Sequence, residues 1–155
     1  MHTCTWTYNI TLSLNVKKSQ LLVFTLSKEK PNINLSINGE ALKEVQFAKY
    51  LGIFIDNKLN WGDQINHVNL KLSKGIGLLA KIRHYVPKNT LRSLYFTFIN
   101  PYFDYNILNW GMASPNFLDT ISKKIKKAVR IMAFKNSEPT IPLFKEFSIL
   151  PLESF

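Results

Sequence analysis

The hydrophobic and polar positions change period once along the chain. In the first third the period is short. Residues 20–27 (QLLVFTLS) are a brief apolar run that suits a buried strand. Ile33, Leu35 and Ile37 alternate with polar residues and lead into Asn38-Gly39. That dipeptide readily supplies two positive φ angles, so it predicts a tight hairpin turn, with residues 41–45 as the return strand. Residues 47–55 (FAKYLGIFI) are rich in aromatic and β-branched side chains and end at Asp56-Asn57. Residues 12–56 therefore predict three to five strands of an antiparallel sheet.

From Asn60 the period becomes helical. Asn60 with Asp63 three places on resembles a capping box. Ile65, Val68, Leu72, Ile76, Leu79 and Ile82 then recur every three or four residues and define one apolar helix face. Gly75 and Gly77 weaken this helix and predict a bend, and Pro87 ends it. A second helix begins near Asn89-Thr90, with Leu91, Leu94, Tyr95, Phe98, Tyr102 and Tyr105 as its stripe; Pro101 should kink or split it. Residues 111–116 read as a loop. A third helix runs from about residue 117 to 134, with Leu118, Ile121, Ile125, Ala128 and Met132 inward. Residues 138–155 contain Pro139, Pro142 and Pro151 and predict a docked extended tail or one short helix. The expected fold class is α+β. An irregular N-terminus (1–11) precedes a short antiparallel β region (12–58), a bundle of about three helices (59–136) and a C-terminal tail (137–155).

Charge sharpens this picture. The 155 residues carry 20 Lys and Arg against 10 Asp and Glu, a formal net charge of +10. Such a balance favours a polyanionic partner. The excess sits mostly in the helical part, where residues 61–155 hold 13 basic and 6 acidic side chains. Lys71, Lys74, Lys81, Arg83, Lys88 and Arg92 fall in a stretch with no acidic residue between Asp63 and Asp104. Lys123, Lys124, Lys126, Lys127 and Arg130 lie opposite the apolar stripe of the third helix. Lys123, Lys127 and Arg130 share one face by their spacing. A surface nearly of one sign attracts phosphates without reading sequence, whereas an ordinary solvated face mixes signs. The two long stretches without charged side chains, residues 1–16 and 105–118, are interrupted by polar residues and do not read as membrane spans. No membrane partner is expected. The N-terminus does not read as a signal peptide, so an intracellular site, nucleus or cytoplasm, is expected.

Catalytic chemistry is harder to find. Cys4 is the single cysteine, which leaves no internal disulfide. The carboxylates are scattered, and His2, His67 and His84 have neither partner spacing nor a nearby nucleophile. No glycine-rich phosphate loop is present. No metal site and no cofactor are expected for the chain itself. Trp6, Trp61, Trp110 and many Tyr and Phe could stack on bases, but most lie on the apolar stripes and read as core.

An ordered series of segments nevertheless carries a resemblance. Leu12-Ser13-Leu14-Asn15-Val16-Lys17-Lys18-Ser19 resembles the LSLN-x-x-K-T segment that follows the catalytic motif in reverse transcriptases of non-LTR, jockey-like retrotransposons. Lys49-Tyr50-Leu51-Gly52-Ile53-Phe54-Ile55-Asp56 resembles their KYLG-x-x-(I/L)-D segment. Leu59-x-Trp61, Leu94-Tyr95, Pro101-Tyr102, Tyr105, Trp110-Gly111, Arg130 and Ile149-Leu150-Pro151 follow in the family's order. The resemblance runs from about residue 12 to the end.

It implies an RNA-directed DNA polymerase family, with these residues forming the end of the palm and a thumb-like helical region. Lys18 would match a lysine near the incoming nucleotide, a candidate proton donor to the leaving pyrophosphate. Tyr50, Leu51 and Gly52 would match the primer grip, and the later helices would hold an RNA–DNA or DNA duplex. The full-length family enzyme uses magnesium, held by an aromatic-Ala-Asp-Asp turn that should lie upstream of Leu12 and is absent. Gln64 stands where the family has histidine, and Lys18-Ser19 where it has Lys-Thr. The expectation is a fragment without catalytic carboxylates, inactive alone and missing the upstream polymerase domains, as in a truncated or decayed element or a gene model covering only its last exon. Alternatives are a helical protein-interaction module and a non-functional remnant.

Overall fold

The computed structural model describes residues 15–25, 27 and 31–152. The chain divides into two compact units, Met1–Leu59 and Asn60–Phe155. Both helices and strands are present, as expected of an α+β chain.

In the first unit, a 3-10 turn spans Val16–Lys18, and Asn15 caps it by accepting the Lys18 backbone N–H at 3.2 Å. Six short strands follow among the described residues, arranged as three separate two-stranded pairs. β1 (Gln20–Leu22) pairs with β4 (Lys43–Val45), β2 (Ser36–Ile37) with β3 (Glu40–Ala41), and β5 (Phe47–Tyr50) with β6 (Ile53–Asp56). The last two pairs are antiparallel. The first is parallel, with Gln20 opposite Lys43 and Leu22 opposite Val45, which corrects the expectation of one antiparallel sheet. A parallel pair needs a connection of a dozen residues or more. The segment from Val23 to Leu42, which contains the β2–β3 hairpin, supplies it.

The expected strand over residues 20–27 shrinks to Gln20–Leu22. Only Val23 of that run is buried among its described residues. The two hairpins owe their shape to left-handed backbone at both turn positions. Asn38 and Gly39 have φ of 54° and 83°, and Leu51 and Gly52 have 46° and 86°. Asn-Gly adopts this conformation cheaply; leucine does not.

The second unit is helical. Its elements are α1 (Gly62–Ile82), α2 (Lys88–Phe98), α3 (Asn100–Asp104), α4 (Ile107–Trp110), α5 (Pro115–Met132) and α6 (Thr140–Glu146). α1 buries Ile65, Val68, Leu72, Ile76 and Leu79 along one face, and α5 buries Ile121, Ile125, Ala128, Val129 and Met132. These stripes meet in one core that also takes Leu143 and Phe144 from α6, together with Phe147 and Ile149 just beyond it. The segment after residue 137 thus forms one short helix whose apolar side completes the bundle.

Three local expectations are corrected. The residue at the α1 N-cap is Trp61, in left-handed backbone (φ 62°) and without a side-chain cap bond, one position after the Asn60 suggested by the sequence. Gly75 does not simply weaken α1. A Cβ there would stand 2.6 Å from the Phe98 carbonyl oxygen, so its bare backbone permits the close crossing of α1 with the end of α2. The second stripe changes register. Ile99 leaves helical geometry (φ −124°, ψ −60°) between α2 and α3, and Pro101 sits in the first turn of α3. From this break on the buried row is Ile99, Phe103, Ile107 and Trp110, while Tyr102 and Tyr105, and Phe98 just before it, are exposed. Proline removes a backbone donor and forces a restart, and the restarted turn presents a different side inward.

Candidate nucleic-acid interface

The basic residues of the helical unit divide into those that hold the bundle together and those that face solvent. Lys124 belongs to the first group. Its ammonium donates to the Asn69 carbonyl oxygen at 2.7 Å and to the Ser73 hydroxyl at 2.6 Å, joining α5 to α1. Partial burial, and then the neighbouring Lys127 charge, hold its pKa below the ordinary lysine value. Asn69 adds a second link across this seam by donating to the Thr120 hydroxyl at 2.8 Å. Lys88 and Arg92 tie the C-terminal segment to α2. Lys88 pairs with Glu146 at 2.7 Å, and Arg92 Nε donates to the Phe147 carbonyl at 2.6 Å while its guanidinium lies over the Phe96 ring. Arg83 Nε donates to His84 Nε2 at 3.1 Å and stacks over Phe134.

The outward row of α5 keeps the spacing read from the sequence. Ile121, Ile125, Ala128 and Met132 are buried, which turns Lys123, Lys127 and Arg130 to the opposite side. Lys123 and Lys127 are exposed and Lys126 and Arg130 half-buried. The row is not of one sign throughout. Lys123 pairs with Asp119 one turn earlier at 2.6 Å, and Arg130 Nε points to the Glu138 carbonyl at 3.4 Å. Asp119 lies within the predicted third helix and one turn before Lys123, so the pair was visible in the sequence; the charge count alone hid it. On α1, Lys74 and Lys81 are exposed and share a face two turns apart. Lys71 is half-buried, with its ammonium 5.6 Å from the centre of the Tyr102 ring. Because Lys124 spans the α1–α5 seam, the outward residues of these two helices occupy neighbouring surfaces.

The residues singled out in the first unit sit at exposed positions. Lys18 ends the 3-10 turn with its side chain in solvent. Tyr50 and Ile53 face each other at the end of the β5–β6 ladder, and Leu51-Gly52 make the turn between them. Tyr50 is 65% exposed and Leu51 72%, so the hairpin carries an apolar tip in water. Residues 12–14 of the LSLN-like segment, with Cys4, His2 and Trp6, lie outside the described residues. Among the described residues no group of His, Cys, Asp and Glu is placed to hold a metal ion. No helix there is long and apolar enough to cross a membrane.

No protein-family model, curated protein or solved structure matches the chain. The functional reading therefore stands on residues and geometry.

Proposed function

We propose that the helical unit binds a nucleic-acid duplex through phosphate contacts along the outward row of α5, with the exposed lysines of α1 beside it. The observation that carries this is the placement of Lys123, Lys127 and Arg130 on one side of a helix whose other side is fully buried. Cations held at fixed spacing on a rigid element can meet successive phosphates, and phosphates position without specifying sequence. The ion pair to Asp119 lowers what Lys123 adds, which leaves Lys127 and Arg130 as the stronger contributors.

This reading agrees with the resemblance to the thumb of non-LTR retrotransposon reverse transcriptases, and we propose that the chain is the C-terminal part of such an RNA-directed DNA polymerase. On that proposal the exposed Tyr50–Leu51–Gly52 tip would meet the primer strand and Lys18 would approach the nucleotide. Metal-dependent polymerisation would need carboxylates supplied from upstream polymerase domains. The partner would be an RNA–DNA or DNA duplex, and the setting nucleus or cytoplasm.

Replacing Lys123, Lys127 and Arg130 together by Gln tests the interface. Each lost phosphate contact flattens the dependence of log affinity on log salt by about one unit, so the slope should fall by about two to three. The loss should be equal for duplexes of different sequence. A folded triple variant with unchanged affinity and slope would overturn the proposal and favour a protein-interaction surface.

A further inference from the structure

A second surface on the helical unit has the chemistry of a different ligand form. Phe98 and Tyr102 stand on either side of the register break at Ile99, and 37% and 38% of their surfaces are exposed. The Phe98 backbone and the Tyr102 ring lie on the same side of α1. Gly75 touches the Phe98 backbone, and Lys71, one turn earlier on α1, holds its ammonium over the Tyr102 ring. Lys74, beside Gly75, is exposed. α1 carries no carboxylate beyond Asp63 in its first turn. Asp104 lies two positions past Tyr102 and so projects from the far side of α3.

The restarted helix puts Ile99 and Phe103 inward and leaves Phe98 and Tyr102 at the edge of the core, packed on one side and open to solvent on the other. Aromatic faces beside lysines are the elements that bind unpaired bases. Each ring accepts one base face, and each ammonium neutralises the phosphate between bases.

We propose that Phe98 and Tyr102, with Lys71 and Lys74, form a stacking site for single-stranded nucleic acid, whose aromatic part is separate from the duplex row on α5 and which shares only Lys74 with its α1 flank. It rests on the reading of the unit as a nucleic-acid binder and adds the unpaired strand as a ligand. A base on Tyr102 displaces the Lys71 ammonium from the ring face, and the ammonium then moves to the adjoining phosphate. The duplex cannot use this site, because its bases are stacked on one another.

The test is fluorescence anisotropy of the full chain with three probes of equal length: oligothymidylate, an abasic strand with the same phosphates, and a duplex. Oligothymidylate should bind about tenfold or more tighter than the abasic strand, since each stacked base contributes roughly 1–3 kcal/mol. This comparison needs no variant. The double variant Phe98→Leu/Tyr102→Leu keeps apolar packing and should lose that preference while holding duplex affinity. Tyr102→Phe keeps the ring and should bind as the parent does. Equal binding of abasic and thymidylate strands overturns the proposal, as does equal loss of duplex and single strand in the double variant. A chain that binds duplex but not oligothymidylate sinks this site alone. A chain that binds oligothymidylate through Tyr102 and no duplex keeps this site and sinks the α5 interface. Binding to neither overturns both.

Discussion

The Lys124 ammonium donates to the Ser73 hydroxyl at 2.6 Å, a bond from the middle of α5 to the middle of α1. Lys127, three positions later, faces solvent. Two lysines one turn apart thus have separate settings, one within the bundle and one in solvent, where the proposed duplex would meet it. Lys124→Gln should leave the salt dependence of duplex binding unchanged, whereas Lys127→Gln should flatten it by about one unit. Titrations at several salt concentrations decide between them; equal effects would show that Lys124 also reaches phosphate.

The same lysine gives an alkaline signature. Its pKa is lowered in the folded chain, first by burial and then by Lys127, so the unfolded chain holds the proton to higher pH. Stability contributed by this group therefore rises as pH climbs through the window between the lowered value and the ordinary 10.5, and is least below it. Urea unfolding across that window should show the rise in the parent and a smaller one in Lys124→Gln.

Tyr95 should behave in the opposite sense. It is fully buried, and its hydroxyl has no hydrogen-bond partner among the described residues. Burial raises its pKa well above the usual 10.0, so above that pH the unfolded chain ionises first and stability falls. Tyr95→Phe removes an unpaired buried hydroxyl at nearly constant shape. It should be neutral or stabilising by up to about 1 kcal/mol, and should blunt the fall above pH 10. A loss of more than about 1 kcal/mol at neutral pH would mean that the hydroxyl is satisfied in solution.

Gly75 and Gly77 lie two positions apart on α1 and should respond with opposite signs. Ala at 75 meets the Phe98 carbonyl and should cost about 1–3 kcal/mol despite its better helix propensity. Ala at 77 meets nothing within 4 Å and should gain about 0.5–1 kcal/mol. Thermal melts of both variants are the check. If both stabilise, the α1–α2 crossing is looser than described.

Leu51 holds a left-handed turn position that leucine disfavours by roughly 1–2 kcal/mol. Leu51→Asn creates an Asn-Gly turn and should stabilise the β5–β6 hairpin by about 1 kcal/mol. If the apolar tip touches a primer strand, the same change should weaken binding of a primed duplex. Measuring stability and affinity on one variant separates strain from contact; a less stable Asn variant would contradict the turn assignment.

What the sequence made legible was local. Asn38-Gly39 specified its hairpin through the φ angles those residues accept, and the α1 and α5 stripes followed from spacing alone. The parallel pairing of β1 with β4 was not legible, because alternation reports a strand's faces and not its partner's direction. The change of inward row at Ile99 was half legible. Pro101 announced a break, and Ile99, Phe103, Ile107 and Trp110 already recur at three- and four-residue spacing; reading one stripe through the proline concealed them. At the candidate interface, charge spacing placed Lys123, Lys127 and Arg130 together. It could not show that Lys124 points along the helix seam, since that depends on where α1 lies.

The β1–β4 pair sets an order of events in folding. Its three rungs form only after the 20 residues between the strands have closed into a loop, and the gain from those rungs is small. The hairpins need only a two-residue turn, and helices grow from neighbours in sequence. Refolding followed by strand-specific and helix-specific probes should therefore be biphasic, with the parallel ladder completed last and, under denaturant, the first to be given up.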